Sequence, residues 1–234
     1  MNSKALEDYL KIIYKLESSV APSKGVQTSL IAERLSISQA SVSNMLKKLA
    51  EKNFIEYAPY YGVKLTVSGR KVALNMVRKH RILEQYLVER LGYSWDEVDV
   101  EAEVLEHAMS DKLANRMWEV LGKPTHDPHG SPIPSESGEV SKCILYALSD
   151  VEAGQKMVVR RIKNRSPEEL RYLASIGLIT GVPLEVTSRT LTNGHFKVLI
   201  NHQIEQVIDY QLAQFLMVSG ENAEGLKSHA GYVE

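Results

Sequence analysis

Glu103, Glu106 and His107 fall at i, i+3 and i+4, a spacing that puts three metal-capable side chains on one face of a helix. His80 and Glu84 repeat the i, i+4 relation on the preceding amphipathic segment. Asp8 lies beside Tyr9 and Leu10, whose types mark a neighbouring buried face. From 94 to 111 the chain holds Asp96, Glu97, Asp99, Glu101, Glu103, Glu106 and Asp111 and no Lys or Arg. Crowded carboxylates repel one another, and a divalent cation removes that cost. Asp8, Glu103, Glu106 and His107 together make a hard, mostly oxygen donor set suited to Mn(II) or Fe(II). Spacing alone does not separate this from a solvated acidic helix face. His80, between Lys79 and Arg81, fits a surface position equally well.

A second constellation lies in residues 1–70, which carry ten Lys and Arg against six Asp and Glu. Residues 28–35, TSLIAERL, predict a short helix, SIS at 36–38 a tight turn, and 39–52 a second helix with Val42, Met45, Leu46 and Leu49 inward. Phe54–Tyr57 and Val63–Thr66, separated by Pro59–Gly62, predict a hairpin. Helix, turn, helix and two-stranded wing form the winged helix-turn-helix pattern. Its second helix would offer Gln39, Ser41, Ser43 and Asn44 to base edges and Lys47 and Lys48 to phosphates, with Tyr60 and Lys64 on the wing. The plainer alternative is a three-helix core with a polar outer face.

The elements that must position these groups divide the chain. Leu6, Leu10, Ile13 and Tyr14 predict an opening helix, stopped by Ser18–Ser23. Residues 67–91 predict a long amphipathic helix ending at Gly92. Ser94–Glu97 has capping-box spacing, so a helix is expected from about Trp95 to Met109, with another to Leu121. Residues 123–140, rich in Pro, Gly, Ser and His, predict a linker or connecting arm. Beyond 141, strands are expected at 157–159, 184–186, 196–200 and 214–218, interrupted by a helix from Ser166-Pro167, the pattern of a small β-barrel. The expected domains are 1–70, 71–140 and 141–219, followed by a flexible tail at 220–234. The fold class is mainly α with a small β domain.

The chain has 234 residues, a formal charge of −1 and 44% hydrophobic residues, which excludes disorder and collagen-like repeats. No apolar run approaches the roughly 20 residues of a membrane span. The charged N-terminus reads as cytoplasmic. The single Cys143 excludes a disulfide framework and Cys-rich zinc modules. There is no HExxH, nucleophile elbow or phosphate-cradling loop, so no enzyme and no small-molecule substrate are expected. A metallohydrolase built on Glu103, Glu106 and His107, and a winged-helix regulator with a purely structural middle domain, are the rival readings.

LEDYLKIIYKL at 6–16, IAERLSISQASVSNMLKKL at 31–49, LTVSGRKVA at 65–73, RKHRILEQYL at 78–87, EAEVLEHAMSD at 101–111 and PHGSPIP at 128–134 resemble the diphtheria toxin repressor family. These are bacterial metal-dependent transcriptional repressors. The match is dense over 1–140 and looser over 141–219, where it resembles the SH3-like domain of the longer members. The resemblance implies a homodimer on double-stranded palindromic operator DNA, controlling metal-uptake genes and activated by Mn(II), with Fe(II) as the alternative. It implies a primary metal site of Asp8, Glu103, Glu106 and His107. Iron-responsive members place Met and Cys where this chain has Asp8 and Glu103. A second site would use His80 and Glu84, with Asp127, His129 and Glu168 as candidates from the arm and the SH3-like domain. Three positions depart from the family pattern, one being Ser166, which stands where the diphtheria repressor has a ligating Glu. Lys11 stands where short manganese-responsive members have a metal-binding Glu, and Asp99 where the diphtheria repressor has a His. Ile82, Leu83, Tyr86, Leu87, Trp95, Met109 and Trp118 are expected at the dimer interface.

Overall fold

The computed structural model describes residues 3–17, 24–58, 61–163, 166–190 and 194–220. Tyr60 and the tail at 221–234 lie outside them. The chain forms two compact units. The first comprises Met1–His80, Glu103–Ala114 and Pro134–Val140; the second comprises Arg81–Ala102, Asn115–Ile133 and Ser141–Glu234.

In the first unit, α1 (Ser3–Glu17), α2 (Thr28–Leu35) and α3 (Gln39–Glu51) precede a hairpin of β1 (Ile55–Ala58) and β2 (Gly62–Leu65). Leu10, Ile13, Ile31, Val42, Leu46, Leu49 and Val63 are fully buried in one cluster. The α2–α3 turn is tight for identifiable reasons. Ser36 adopts the left-handed conformation at φ 55°, and the Ile37 N–H returns to the Ala32 carbonyl at 3.1 Å. Ser38 then caps α3, its hydroxyl accepting from the Ser41 N–H at 3.2 Å. The hairpin gains a third backbone partner. Val26 pairs with Val63, donating at 2.8 Å and accepting at 2.9 Å. This approach requires Gly25, because a Cβ there would lie 2.6 Å from the Val63 nitrogen.

Helix α4 runs Val67–Leu91, α5 Val98–Leu105 and α6 Asp111–Val120. The expected start of α5 near Trp95 is corrected to Val98, and its end from about Met109 to Leu105. Ser94 and Glu97 do meet, hydroxyl to carboxylate at 2.7 Å, but they close a turn ahead of the helix. Trp95 turns into the core of the second unit and is 8% exposed. Past Leu105 the chain forms a turn in which the N–H groups of Ala108 and Met109 both return to the Leu105 carbonyl. Glu106 and His107 therefore sit in that turn, not on a continuing helical face.

The second unit is built on a six-stranded antiparallel sheet ordered β3-β8-β4-β5-β6-β7. Its strands are β3 (Tyr146–Ala147), β4 (Lys156–Ile162), β5 (Pro183–Thr190), β6 (His195–Ile200), β7 (Ile204–Ile208) and β8 (Leu216–Gly220). Register shifts at Val159/Arg161 and Val186/Ser188 bend the strands around buried Phe196, Val198 and Leu216. Helix α7 (Pro167–Ser175) carries the full Ser166–Glu169 capping box. Gln214 and Phe215, expected in a strand, instead end α8 (Tyr210–Phe215), which Asp209 caps by accepting from the Leu212 N–H at 2.7 Å.

The connecting segment is tied down within this unit. Asp127 Oδ1 accepts from the N–H groups of His129 and Ser131 at 2.9 and 2.8 Å. The Ile162 N–H donates to the His129 carbonyl at 2.9 Å, and Thr180 Oγ1 donates to the Pro128 carbonyl at 3.0 Å. Gly130, at φ 82°, leaves no room for a Cβ beside the Arg160 carbonyl.

Candidate metal centre

Helix α1 and the turn after α5 bring Asp8, Glu106 and His107 together in the first unit, with ligand-capable atoms within 4.8 Å of one another. His107 Nδ1 lies 2.7 Å from Glu7 Oε2. A carboxylate only accepts, so Nδ1 is the donor, and in the neutral ring Nε2 presents a lone pair. That lone pair faces Asp8 Oδ1 at 2.8 Å. Both atoms are buried and neither has a hydrogen-bond partner. Two buried acceptors facing each other form an unfavourable pair that a cation would satisfy. Glu7 meanwhile fixes the tautomer and ring orientation, as outer-shell carboxylates do at metal-bound histidines. The donor set present therefore fits a divalent ion.

Burial pushes the Asp8 carboxyl above its ordinary pKa, against the opposing pull of His107 and Lys11. Glu106 is fully buried, which alone would raise its pKa. Hydrogen bonding from His80 and the Lys11 charge outweigh that and hold it below the usual value.

The same centre contains two residues beyond the expected ligand set. Lys11 is 1% exposed. Its Nζ lies 2.5 Å from Glu103 Oε2 and also contacts Glu106 Oε1. Burial would lower the Lys11 pKa, but the two carboxylates more than reverse that, so the ammonium stays charged. Glu7 is the other addition. Lys11 was legible as a helix-face neighbour of Asp8 at i+3, and Glu7 as a neighbour of Lys11 at i, i+4. Glu103 reaches the centre through Lys11 and His80, with its side chain 47% exposed. His80, expected with the second set, places Nδ1 2.7 Å from Glu106 Oε2 of the first.

In the second unit, Glu84, Asp127 and His129 form another ligand-capable group. His129 Nε2 donates to the Trp95 carbonyl at 2.8 Å, leaving Nδ1 3.5 Å from Glu84 Oε1. Burial opposes protonation of His129, but Glu84 and Asp127 outweigh it and push the pKa up to about 9. Burial and Glu84 raise Asp127. Glu168 is exposed in the first turn of α7 and joins none of the ligand-capable groups among the described residues.

On the nucleic-acid face, Gln39, Ser41, Asn44, Lys47, Lys48 and Lys64 are exposed and Ser43 is half-buried. The Ser41 hydroxyl lies 2.9 Å from that of Ser38, within the helix cap. Of the residues expected at a dimer interface, Ile82, Leu83, Leu87, Trp95 and Met109 are instead buried within the single chain. Among the described residues, the large apolar side chains exposed on the middle helices are Val67, Leu91, Val100, Val104, Leu105, Leu113 and Val120.

Three protein-family models match the chain in order. They are the iron dependent repressor N-terminal DNA binding domain over residues 1–63, the iron dependent repressor metal binding and dimerisation domain over 66–135, and the FeoA domain over 146–220. The iron-dependent repressor IdeR of Mycobacterium tuberculosis (strain ATCC 25618 / H37Rv) is 30% identical over 224 residues, covering 91% of this chain and 95% of that one. The chain belongs to the diphtheria toxin repressor family. The diphtheria toxin repressor of Corynebacterium diphtheriae itself is 27% identical over 214 residues, 87% of this chain and 92% of that one. Among solved structures, a manganese-dependent transcriptional repressor in complex with manganese matches with 40% identity and a TM-score of 0.84, covering 92% of this chain and 99% of the other. ScaR with bound Zn²⁺ matches with 28% identity and a TM-score of 0.76 over 92% and 99%. Among the described residues, no helix of this family member is long and apolar enough to cross a membrane.

Proposed function

We propose that this chain is a transcriptional repressor that binds double-stranded operator DNA as a homodimer when Mn(II), or alternatively Fe(II), occupies the centre at Asp8, Glu106 and His107. The observation that carries the reading is the facing pair of unsatisfied acceptors, Asp8 Oδ1 and His107 Nε2, beside a fully buried Glu106. Asp8 belongs to α1, which packs with α2 in the core of the DNA-reading domain. Glu106 and His107 belong to the turn after α5. A bound ion supplies positive charge that ties these two segments together. Asp8 and His107 then hold α1 in one position, which lowers the entropy lost when DNA is bound. Glu103 contributes a carboxylate at the exposed edge of the centre.

The functional divisions we assign are DNA reading to 1–70, metal binding and dimerisation to 71–140, and an SH3-like module to 141–219. A palindromic operator follows from a dimer carrying two α3 helices, spaced about 34 Å apart or a multiple of that. Glu84, Asp127 and His129 form a secondary cation site that tunes the response. Gln39, Ser43 and Asn44 read bases, and Lys47, Lys48 and Lys64 neutralise phosphates. The DNA dependence is reciprocal: operator tightens metal binding by the same factor that metal tightens operator binding.

The test is operator affinity against free Mn(II), Fe(II) and Zn(II) in turn, at fixed salt, with iron handled anaerobically. Tightening by Mn(II) at the lowest free concentration that activates, and its loss in Asp8→Ala, is the expected result. Operator affinity unchanged by chelator would refute it.

A further inference from the structure

We propose that the Lys11 ammonium is a built-in cation that occupies half of the metal centre and restricts that centre to one divalent ion. This rests on the reading that Asp8, Glu106 and His107 hold a metal. Two ligand-capable groups share the Glu106 carboxylate: Asp8, Glu106 and His107 on one side, and His80, Glu103 and Glu106 on the other. Side chains arranged this way can form two adjacent cation positions bridged by one carboxylate. The second position is already taken. Lys11 Nζ lies 2.5 Å from Glu103 Oε2 and touches Glu106 Oε1, while His80 Nδ1 donates to Glu106 Oε2 at 2.7 Å. Lys11 Nζ, Glu103 Oε2, His80 Nδ1 and both Glu106 oxygens are thus engaged with one another, whereas Asp8 Oδ1 and His107 Nε2 in the other half have no hydrogen-bond partner.

The charge count agrees. Glu7 is set apart by its hydrogen bond to the far side of the His107 ring; of the inner set, Asp8, Glu103 and Glu106 bring three negative charges and Lys11 returns one. The remaining two match a single divalent ion. Without Lys11 one divalent ion would leave the inner set one positive charge short, and with an acid at position 11 the set would call for two ions. A second divalent ion in the wild-type centre would have to expel a buried ammonium or lie beside it, and both are opposed by like-charge repulsion and by the cost of an unpaired buried cation. His80 acts here as a hydrogen-bond donor that completes the ammonium half.

The experiment is a Mn(II) titration of the full-length protein, read by native mass spectrometry and electron paramagnetic resonance, on wild type, Lys11→Glu and Lys11→Met. The Glu84 group contributes equally to all three and cancels in the comparison. Wild type is expected to give spectra of isolated ions. Lys11→Glu should take one more ion per protomer and show the exchange coupling of a carboxylate-bridged pair. Lys11→Met, which removes the ammonium without adding a ligand, should take the same extra ion at higher free Mn(II). If Lys11→Glu fails to fold by circular dichroism, the Met variant carries the comparison. A coupled pair in wild type would overturn the inference, as would wild-type stoichiometry in folded Lys11→Met at saturating Mn(II). Asp8→Ala separates the two readings. If it leaves the wild-type stoichiometry intact, the metal assignment itself is wrong; if it removes one ion while wild type shows coupling, the Lys11 role alone is wrong.

Discussion

Replacing Lys11 by Met should destabilise the metal-free protein and make it more dependent on metal. Lys11 is 1% exposed and Glu106 is fully buried. Removing one partner of a buried ion pair costs about 3–5 kcal/mol, because the other charge is left uncompensated. Two features place this case at the lower end. His80 still donates to Glu106 Oε2, and the Glu103 side chain is 47% exposed, so its contact with Lys11 adds only about 0–1 kcal/mol. The expected loss in chelator is therefore about 3 kcal/mol. Mn(II) at a hundred times its dissociation constant stabilises by about 2.7 kcal/mol through linkage alone. In Lys11→Met the ion also replaces the missing positive charge next to Glu106, so the variant should gain more from Mn(II) than wild type does. Trp95 and Trp118 both lie in the second unit, so tryptophan fluorescence would report the wrong transition. Hydrogen exchange of α1 peptides under increasing urea reads the relevant one. A loss below about 1 kcal/mol in chelator would refute the reasoning from the buried pair. Equal or smaller Mn(II) stabilisation of the variant would do the same.

Lys47→Ala should weaken binding to operator and random DNA alike and lower the salt slope by about 1, whereas Gln39→Ala should cost about 1–3 kcal/mol on operator alone; salt-dependent affinity on both DNAs separates them, and equal losses for Gln39 would remove it from base reading. Glu103→Cys with Asp8→Met adds soft sulfur donors and should move activation from Mn(II) toward Fe(II), checked by operator affinity at controlled free metal; an unchanged metal preference would contradict the donor-type argument. Asp96 is buried but its pKa is depressed, because hydrogen bonds from Ser94 and Arg171 outweigh desolvation. A depressed folded pKa contributes stability above the unfolded value and loses it as pH falls through the folded value. Asp96→Asn should therefore cost about 1–2 kcal/mol at neutral pH and little in acid, measured by thermal unfolding from pH 7 down to pH 3; a pH-independent difference would exclude the ionic contribution.

Sequence periodicity captured the parts of the fold whose local and tertiary preferences agree. Helices α1 to α4 follow their apolar spacing, and the Ser166–Glu169 capping box does at atomic level what its residue types allow. The errors fall where one tertiary demand outweighed a local signal. Ser94 and Glu97 have capping-box spacing, but Trp95 is claimed by the core of the second unit, and the helix starts three residues later. Gln214 and Phe215 sit in an apolar run that reads as strand, yet the Asp209 cap starts a short helix through them. The connecting arm reads as a linker by composition. Its order comes from the two N–H groups held by Asp127 and the close fit of Gly130 against β4, which no local pattern encodes.

The metal centre was legible as a list of donors and illegible as a charge balance. Residue types and spacing pointed to Asp8, Glu106 and His107 because repulsion among carboxylates is visible in a sequence. Compensation is visible only when partners are brought together. Lys11 lies 92 residues from Glu103 and 95 from Glu106, so a stretch devoid of Lys and Arg between 94 and 111 looked uncompensated when it was not. The same distance effect gives His80, a neighbour of Glu84 by helical spacing, a hydrogen bond to Glu106, 26 residues away. An acidic cluster therefore sets a need for positive charge, but the number of ions that meet the need depends on every cation the fold delivers. Here α1 delivers one lysine to the face that also carries Asp8, so a single helix contributes both a ligand and the charge that limits how many ions the ligands can share.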